Sequence, residues 1–155
     1  MSVAFTKEPN ENQVETLPDR DLGTDPNIVT PAGLARIEAE AARLETELQA
    51  ARRRADHVAV ATHLRDLKYW SARRATAEVA EPDPASELVQ FGHRVTIERP
   101  GGSRQTFHIV GIDEADPAQG RISYLAPIAR ALMGREEGDT VRAGPSEAEI
   151  VEIAV

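Results

Sequence analysis

From Leu34 onward the apolar positions recur at spacings of three and four: Leu34, Ile37, Ala41, Leu44, Leu48, Ala51 and Ala55. That period lays a single stripe along a helix. Thr30 stands before Pro31, so a hydroxyl is available as the N-cap and the proline occupies the first helical position, where its missing N–H costs no hydrogen bond. After a break near Asp56 and His57 a second apolar set follows at Val60, Leu64 and Leu67, slipping register through Trp70 and Ser71 to Ala75 and Val79. Leu34 lies 22 residues before Asp56 and Val79 lies 23 after it. Neither stripe can be buried alone, and arms so matched predict an antiparallel helical hairpin, a coiled coil with arms about 35 Å long. Two helices of a compact bundle are the alternative.

Beyond Glu81 the period changes. Pro82, Asp83 and Pro84 form a linker, because proline ends a helix and pushes the residue before it to extended geometry. Residues 94–98 alternate around Val95 and Ile97, Pro100, Gly101 and Gly102 make a turn, and residues 105–110 carry Phe107 and Ile109, which together predict a β-hairpin. Residues 113–120 read as an acidic surface turn, 121–125 as a third strand, 127–133 as a short helix ended by Gly134, and 148–153 as a closing strand. The expected fold class is α+β: a helical hairpin followed by a small antiparallel sheet domain with one helix.

Charge sharpens these boundaries. Residues 1–30 hold six acids and two bases, 31–80 hold nine bases and seven acids, and 81–155 hold thirteen acids and seven bases, so the net charges are -4, +2 and -6 and their sum is -8. Residues 1–29, with Pro9, Pro18 and Pro26 and few apolar positions, are expected to be an acidic flexible tail. Residues 30–80 form the hairpin and residues 81–155 the second domain. A pI near 5.0 argues against direct binding of DNA or RNA. The 155 residues include no cysteine, which removes disulfides and thiolate metal sites, and no apolar run of membrane-spanning length occurs. A soluble cytoplasmic protein is expected. No nucleophile motif surrounds any serine, and no Gly-Lys-Thr phosphate loop exists, so no enzyme site and no cofactor are expected.

Several short motifs of the second domain occur in a telling order: Phe91 and Gly92 before the Val95 strand; Phe107, His108, Ile109, Val110 and Gly111; then Asp113, Glu114, Ala115 and Asp116. Ile122 and Ser123, the run from Pro127 through Ile128, Ala129, Arg130 and Ala131 to Leu132, Gly134, and the pair Gly138 and Asp139 complete the series. In these the chain resembles the GreA/GreB family of bacterial transcript cleavage factors. The helix start at Thr30, Pro31, Ala32, Gly33 and Leu34 extends the resemblance over residues 30 to about 153. It implies a hairpin that enters the secondary channel of RNA polymerase and an FKBP-like domain docked at the channel rim. Asp113, Glu114, Asp116, Pro127, Ile128 and Ala129 then stand at the expected polymerase-docking surface, and nucleic acid is met only through the polymerase.

The tip departs from the family. Cleavage factors carry there an Asp followed three residues later by Glu-Asn, carboxylates that help hold a magnesium ion in the polymerase site. Here the corresponding run is Asp56, His57, Val58, Ala59 and Val60, behind Arg52, Arg53 and Arg54. One carboxylate holds Mg²⁺ weakly, since hard cations want several oxygen ligands. Each arm is also shorter than the family's by roughly two turns, about 10 Å of reach. The tip set Arg52, Arg53, Arg54, Asp56 and His57 therefore predicts a polymerase-binding regulator that lacks cleavage chemistry, with no metal of its own. A cleavage factor lending Asp56 to the polymerase magnesium is the alternative, and a prolyl isomerase suggested by fold analogy alone is a third reading. Each tip residue also has an ordinary role: Asp56 as a helix cap, the arginines as a solvated helix end favoured by the helix dipole.

Overall fold

The computed structural model describes residues 17–155. Helix α1 (Pro31–Arg53) and helix α2 (His57–Thr76) form the predicted antiparallel hairpin, with 23 and 20 residues. Thr30 caps α1, its hydroxyl accepting from the Gly33 N–H at 2.9 Å, with Pro31 in the first turn. Ile37, Ala41, Leu44, Leu48 and Ala51 are buried along the seam, as their spacing requires. The partner arm is less well covered: Leu64, expected in its stripe, is 43% exposed and Val58 is 79% exposed. The only α2 residue that is fully buried is Arg73.

The turn between the arms is a Schellman motif. The Ala55 N–H donates to the Arg52 carbonyl at 3.1 Å and the Asp56 N–H to the Ala51 carbonyl at 3.0 Å, which satisfies the last carbonyls of α1. Ala55 takes the left-handed conformation that this motif demands, φ 53°, a position usually given to glycine. Asp56 then caps α2 by accepting from the Ala59 N–H at 3.1 Å.

Residues 17–29, expected as part of the flexible tail, lie along α2 in the same direction as that helix. Asp19 pairs with Lys68, Arg20 reaches Asp66 at 3.5 Å and stacks over Tyr69 at 3.9 Å, and buried Asn27 donates to the Arg73 carbonyl at 2.7 Å. The strap ends in strand β1 (Ile28–Val29), which pairs in parallel with β2 (Glu78–Val79). Strands of two residues leave too short an alternation to be read from sequence. Residues 1–16 of the expected tail lie outside the described residues.

The second domain is a five-stranded sheet in the order β5-β4-β3-β7-β6. Strands β3 (Arg94–Glu98) and β4 (Arg104–Val110) form the predicted hairpin. Strand β7 (Ser146–Ala154) flanks β3 on the other side and β6 (Thr140–Ala143), which the sequence reading did not include, flanks β7. Its inward positions are only Val141 and Ala143, a faint alternation in a Gly-rich and acidic stretch. The expected all-antiparallel sheet is corrected to a mixed one, because β5 (Arg121–Ser123) runs parallel to β4. Two short 3-10 turns, Ile112–Glu114 and Pro117–Gln119, carry the chain back between these two strands, so no tight reversal joins them. The short helix α3 (Pro127–Leu132) begins at the predicted proline.

Val95, Ile97, Phe107, Ile109, Ala148 and Ile150 face one core with Val89, Phe91, Ala129 and Leu132. A bulge keeps β7 in step. Val95 pairs with Ile153 and Ile97 with Ile150, so two residues three apart both face the core, which a regular two-residue period forbids.

Candidate functional site

Two regions hold the residues singled out by sequence: the hairpin tip and the loop 111–120 with the start of α3. At the tip, Arg52, Arg53, Arg54, Asp56 and His57 are all exposed. Arg52 and Arg53 stand in the last turn of α1, where the helix dipole favours cations. Asp56 spends one carboxylate oxygen on the α2 cap, and the other lies 4.0 Å from an Arg54 guanidinium nitrogen. Among the described residues no group of three His, Asp or Glu is placed to hold a metal ion.

The acidic loop is not the open surface turn expected. The Asp113 carboxylate is only 8% exposed: Arg73 Nε donates to it at 2.6 Å and the Tyr69 hydroxyl at 2.5 Å. Glu114 is buried as well, and its Oε2 accepts from the Thr30 hydroxyl at 2.5 Å. Thr30 thus serves both as cap of α1 and as a bridge to the loop. Burial, the Asp113 hydrogen bond and the Asp113 charge push the Tyr69 hydroxyl up to about 12. These contacts fasten the hairpin base to the sheet domain.

Two glycines permit the approach. A Cβ on Gly33 would stand 2.7 Å from Glu114 Oε2, and one on Gly111 would stand 2.4 Å from the Ile28 carbonyl oxygen. From the strap side, the Tyr124 hydroxyl donates to the Pro26 carbonyl at 2.5 Å while its ring meets Phe91 edge to face at 5.9 Å. Sequence reasoning missed Arg73, Thr30 and Asn27 as junction residues. No local signal marks them as such, because their partners stand 40 or more positions away along the chain.

Of the expected docking residues, Asp116 is half-buried and lies 3.5 Å from Arg121. Pro127 is exposed, Ile128 half-buried, and Ala129 fully buried in the core. The loop therefore offers a partner Asp116, Pro127 and part of Ile128, while Asp113, Glu114 and Ala129 face inward.

A basic-tipped helical hairpin fastened at its base to a small mixed-sheet domain defines a two-part factor, built to project one element away from the other. The GreA/GreB C-terminal family model of transcription elongation factors matches residues 84–154. The GreA transcription elongation factor of an Anaeromyxobacter species is 36% identical over 134 residues, covering 83% of this chain and 78% of that protein. GreA of Desulfovibrio desulfuricans is 46% identical over 77 residues and GreB of Neisseria meningitidis serogroup B is 42% identical over 79, each match spanning 48% of the relative's length. The chain thus aligns with about half the length of these two relatives. The crystal structure of GreA factor homolog 1 from Thermus thermophilus aligns over 83% of this chain and 98% of its own, at 23% identity and a TM-score of 0.42. The chain belongs to the GreA/GreB family. Among the described residues no helix is long and apolar enough to cross a membrane.

Proposed function

We propose that this chain is a transcription elongation regulator that inserts its hairpin into the secondary channel of RNA polymerase and acts there without supplying cleavage chemistry. Family membership supports the partner. The observation that carries the finer reading is the tip itself, where Asp56 is the sole carboxylate, caps α2 and stands among Arg52, Arg53 and Arg54. Clustered guanidiniums repel Mg²⁺, and a lone carboxylate already accepting hydrogen bonds is a poor ligand for it. A basic tip gains attraction from an acidic channel, and that attraction weakens with salt. Asp116, Pro127 and Ile128 provide the rim contact in this reading.

Stalled elongation complexes with the full chain provide the test. Binding to polymerase with no acceleration of transcript cleavage is expected, and Asp56→Ala should change neither. Replacing Arg52, Arg53 and Arg54 by Ala should weaken binding several-fold at low salt and less at high salt. Strong acceleration by the wild type that Asp56→Ala abolishes would establish the cleavage factor instead, and absence of polymerase binding would overturn both readings.

A further inference from the structure

The strap that runs along α2 divides into two halves. Its inner half is fixed: the Tyr124 hydroxyl donates to the Pro26 carbonyl, buried Asn27 donates to the Arg73 carbonyl at 2.7 Å and to the Thr76 hydroxyl at 3.1 Å, and Ile28 and Val29 pair with β2. The outer half is not. Residues 18–26 are all exposed, and among the described residues no main-chain hydrogen bond ties residues 17–25 to α2 or to the sheet. Gly23 stands in this outer half at φ 68°, beside open space, a left-handed conformation that glycine takes without strain and that suits a hinge.

One dipeptide seats the outer half. Asp19 pairs with Lys68, and Arg20 reaches Asp66 at 3.5 Å with its guanidinium 3.9 Å from the centre of the Tyr69 ring and 5.8 Å from that of Trp70. The two rings meet edge to face, 5.2 Å apart at 88°, and with the Asp66 carboxylate they form a corner around the cation. Neighbouring residues of a helix point about 100° apart, so Tyr69 and Trp70 cannot both turn toward α1. The Tyr69 hydroxyl is drawn to Asp113, and Trp70 stays half-buried under the strap side of α2. A planar cation over an aromatic face, next to a carboxylate, is the arrangement that recognises a guanidinium. The attachment itself is weak, since exposed ion pairs contribute little and are screened by salt.

We propose that this corner of α2 is a docking surface for an arginine of a partner protein, carried in an extended segment where an acidic residue precedes it, and that Asp19 and Arg20 occupy it as an internal competitor. Asp66, Tyr69 and Trp70 take the guanidinium and Lys68 takes the acid. The outer strap lifts at Gly23 while Asn27 and β1 stay in place, so the hairpin keeps its attachment to the sheet domain. Tyrosine, tryptophan and arginine are the residue types that dominate protein interfaces. A tethered competitor lowers the apparent affinity for the partner in proportion to the time it is seated. The surface is separate from the hairpin tip and does not depend on how the chain engages polymerase.

Trp70 is the chain's only tryptophan, so its fluorescence reports on the corner without a label. The probe is a blocked peptide copying residues 18–22, titrated into the full chain, and the control is the same peptide with lysine in place of arginine. Arg20→Ala should bind the probe at least about fivefold more tightly than wild type, because the tethered competitor is gone. The lysine peptide should bind Arg20→Ala at least about fivefold more weakly than the arginine peptide, since an ammonium lacks the planar fork that stacks on rings. Adding Asp66→Ala should remove the gain, whereas adding Arg74→Ala, exposed in the last turn of α2, should leave it, with unfolding midpoints close to that of Arg20→Ala in both cases. No binding by Arg20→Ala at about 10 mM probe, equal affinity of Arg20→Ala and wild type, or equal binding of the two peptides would overturn the proposal. Self-association of the wild type that Arg20→Ala abolishes would overturn it too, giving the corner to the strap of a second copy.

Discussion

Ala55 holds the left-handed turn between the two arms at φ 53°, the one positive φ of a residue other than glycine among the described residues. An L-residue there meets its own carbonyl too closely, at a cost of order 1 kcal/mol that glycine does not incur. Ala55→Gly should therefore raise stability by about 0.5 to 1 kcal/mol, read as a higher urea midpoint at unchanged slope. Tyr69 allows a second check at this scale. Its folded pKa of about 12 lies above its ordinary value near 10, so the contribution is complete below pH 10 and is lost as pH rises through 12. Burial also raises the Tyr124 hydroxyl, so ultraviolet titration of the folded chain should show both tyrosines ionising late, and Tyr69→Phe should remove the step near 12 while leaving that of Tyr124. His93 works in the opposite direction. Its Nδ1 accepts from the Gln90 N–H at 2.8 Å and burial lowers its pKa, so stability is complete above about pH 6.5 and declines as pH falls below it. His93→Gln should flatten that acid-side decline in thermal melts.

At the scale of elements, the junction between hairpin and sheet depends on a buried ion pair. Arg73 and Asp113 are 4% and 8% exposed in their side chains. Removing one partner strands the other charge away from water, which typically costs about 3 to 5 kcal/mol. Arg73→Met should accordingly destabilise the chain by about 3 kcal/mol or more, whereas Arg74→Met, one position further along on an exposed face, should fall within about 0.5 kcal/mol of wild type. Denaturant unfolding of the two variants side by side checks both numbers. The same pair explains why Asp113 cannot serve as a neutral probe of partner docking: its substitution alters the attachment of the hairpin before any partner is met. Pro127, exposed at the start of α3, is the better probe.

For the whole molecule, the distribution of charge is more informative than its sum. The acidic balance of -8 argues against a simple nucleic-acid binder, yet three exposed arginines are concentrated at the end of a hairpin whose arms extend about 30 to 35 Å. A basic tip on an acidic body orients the approach to a partner that is acidic where the tip enters. The association rate with polymerase should consequently fall steeply with salt for the wild type and only weakly for the triple alanine variant at Arg52, Arg53 and Arg54, in stopped-flow measurements.

Local signals sufficed for the hairpin. The three-four spacing, the Thr30 and Pro31 start, and the break at Asp56 each act over a few residues, so α1, its cap and the tip are legible in sequence, as are the β3–β4 hairpin and the proline that opens α3. Family membership was equally legible, because it rests on the order of short motifs. What tertiary structure decided is everything that joins distant positions. The parallel pairing of β5 to β4, the edge strand β6, the β7 bulge and the strap along α2 depend on partners that no local window contains. The acidic loop is the clearest case. Asp113 and Glu114 have the composition of a solvated turn, and only the arrival of Arg73, Tyr69 and Thr30 turns them inward, because a carboxylate leaves water only where donors from elsewhere in the chain replace it.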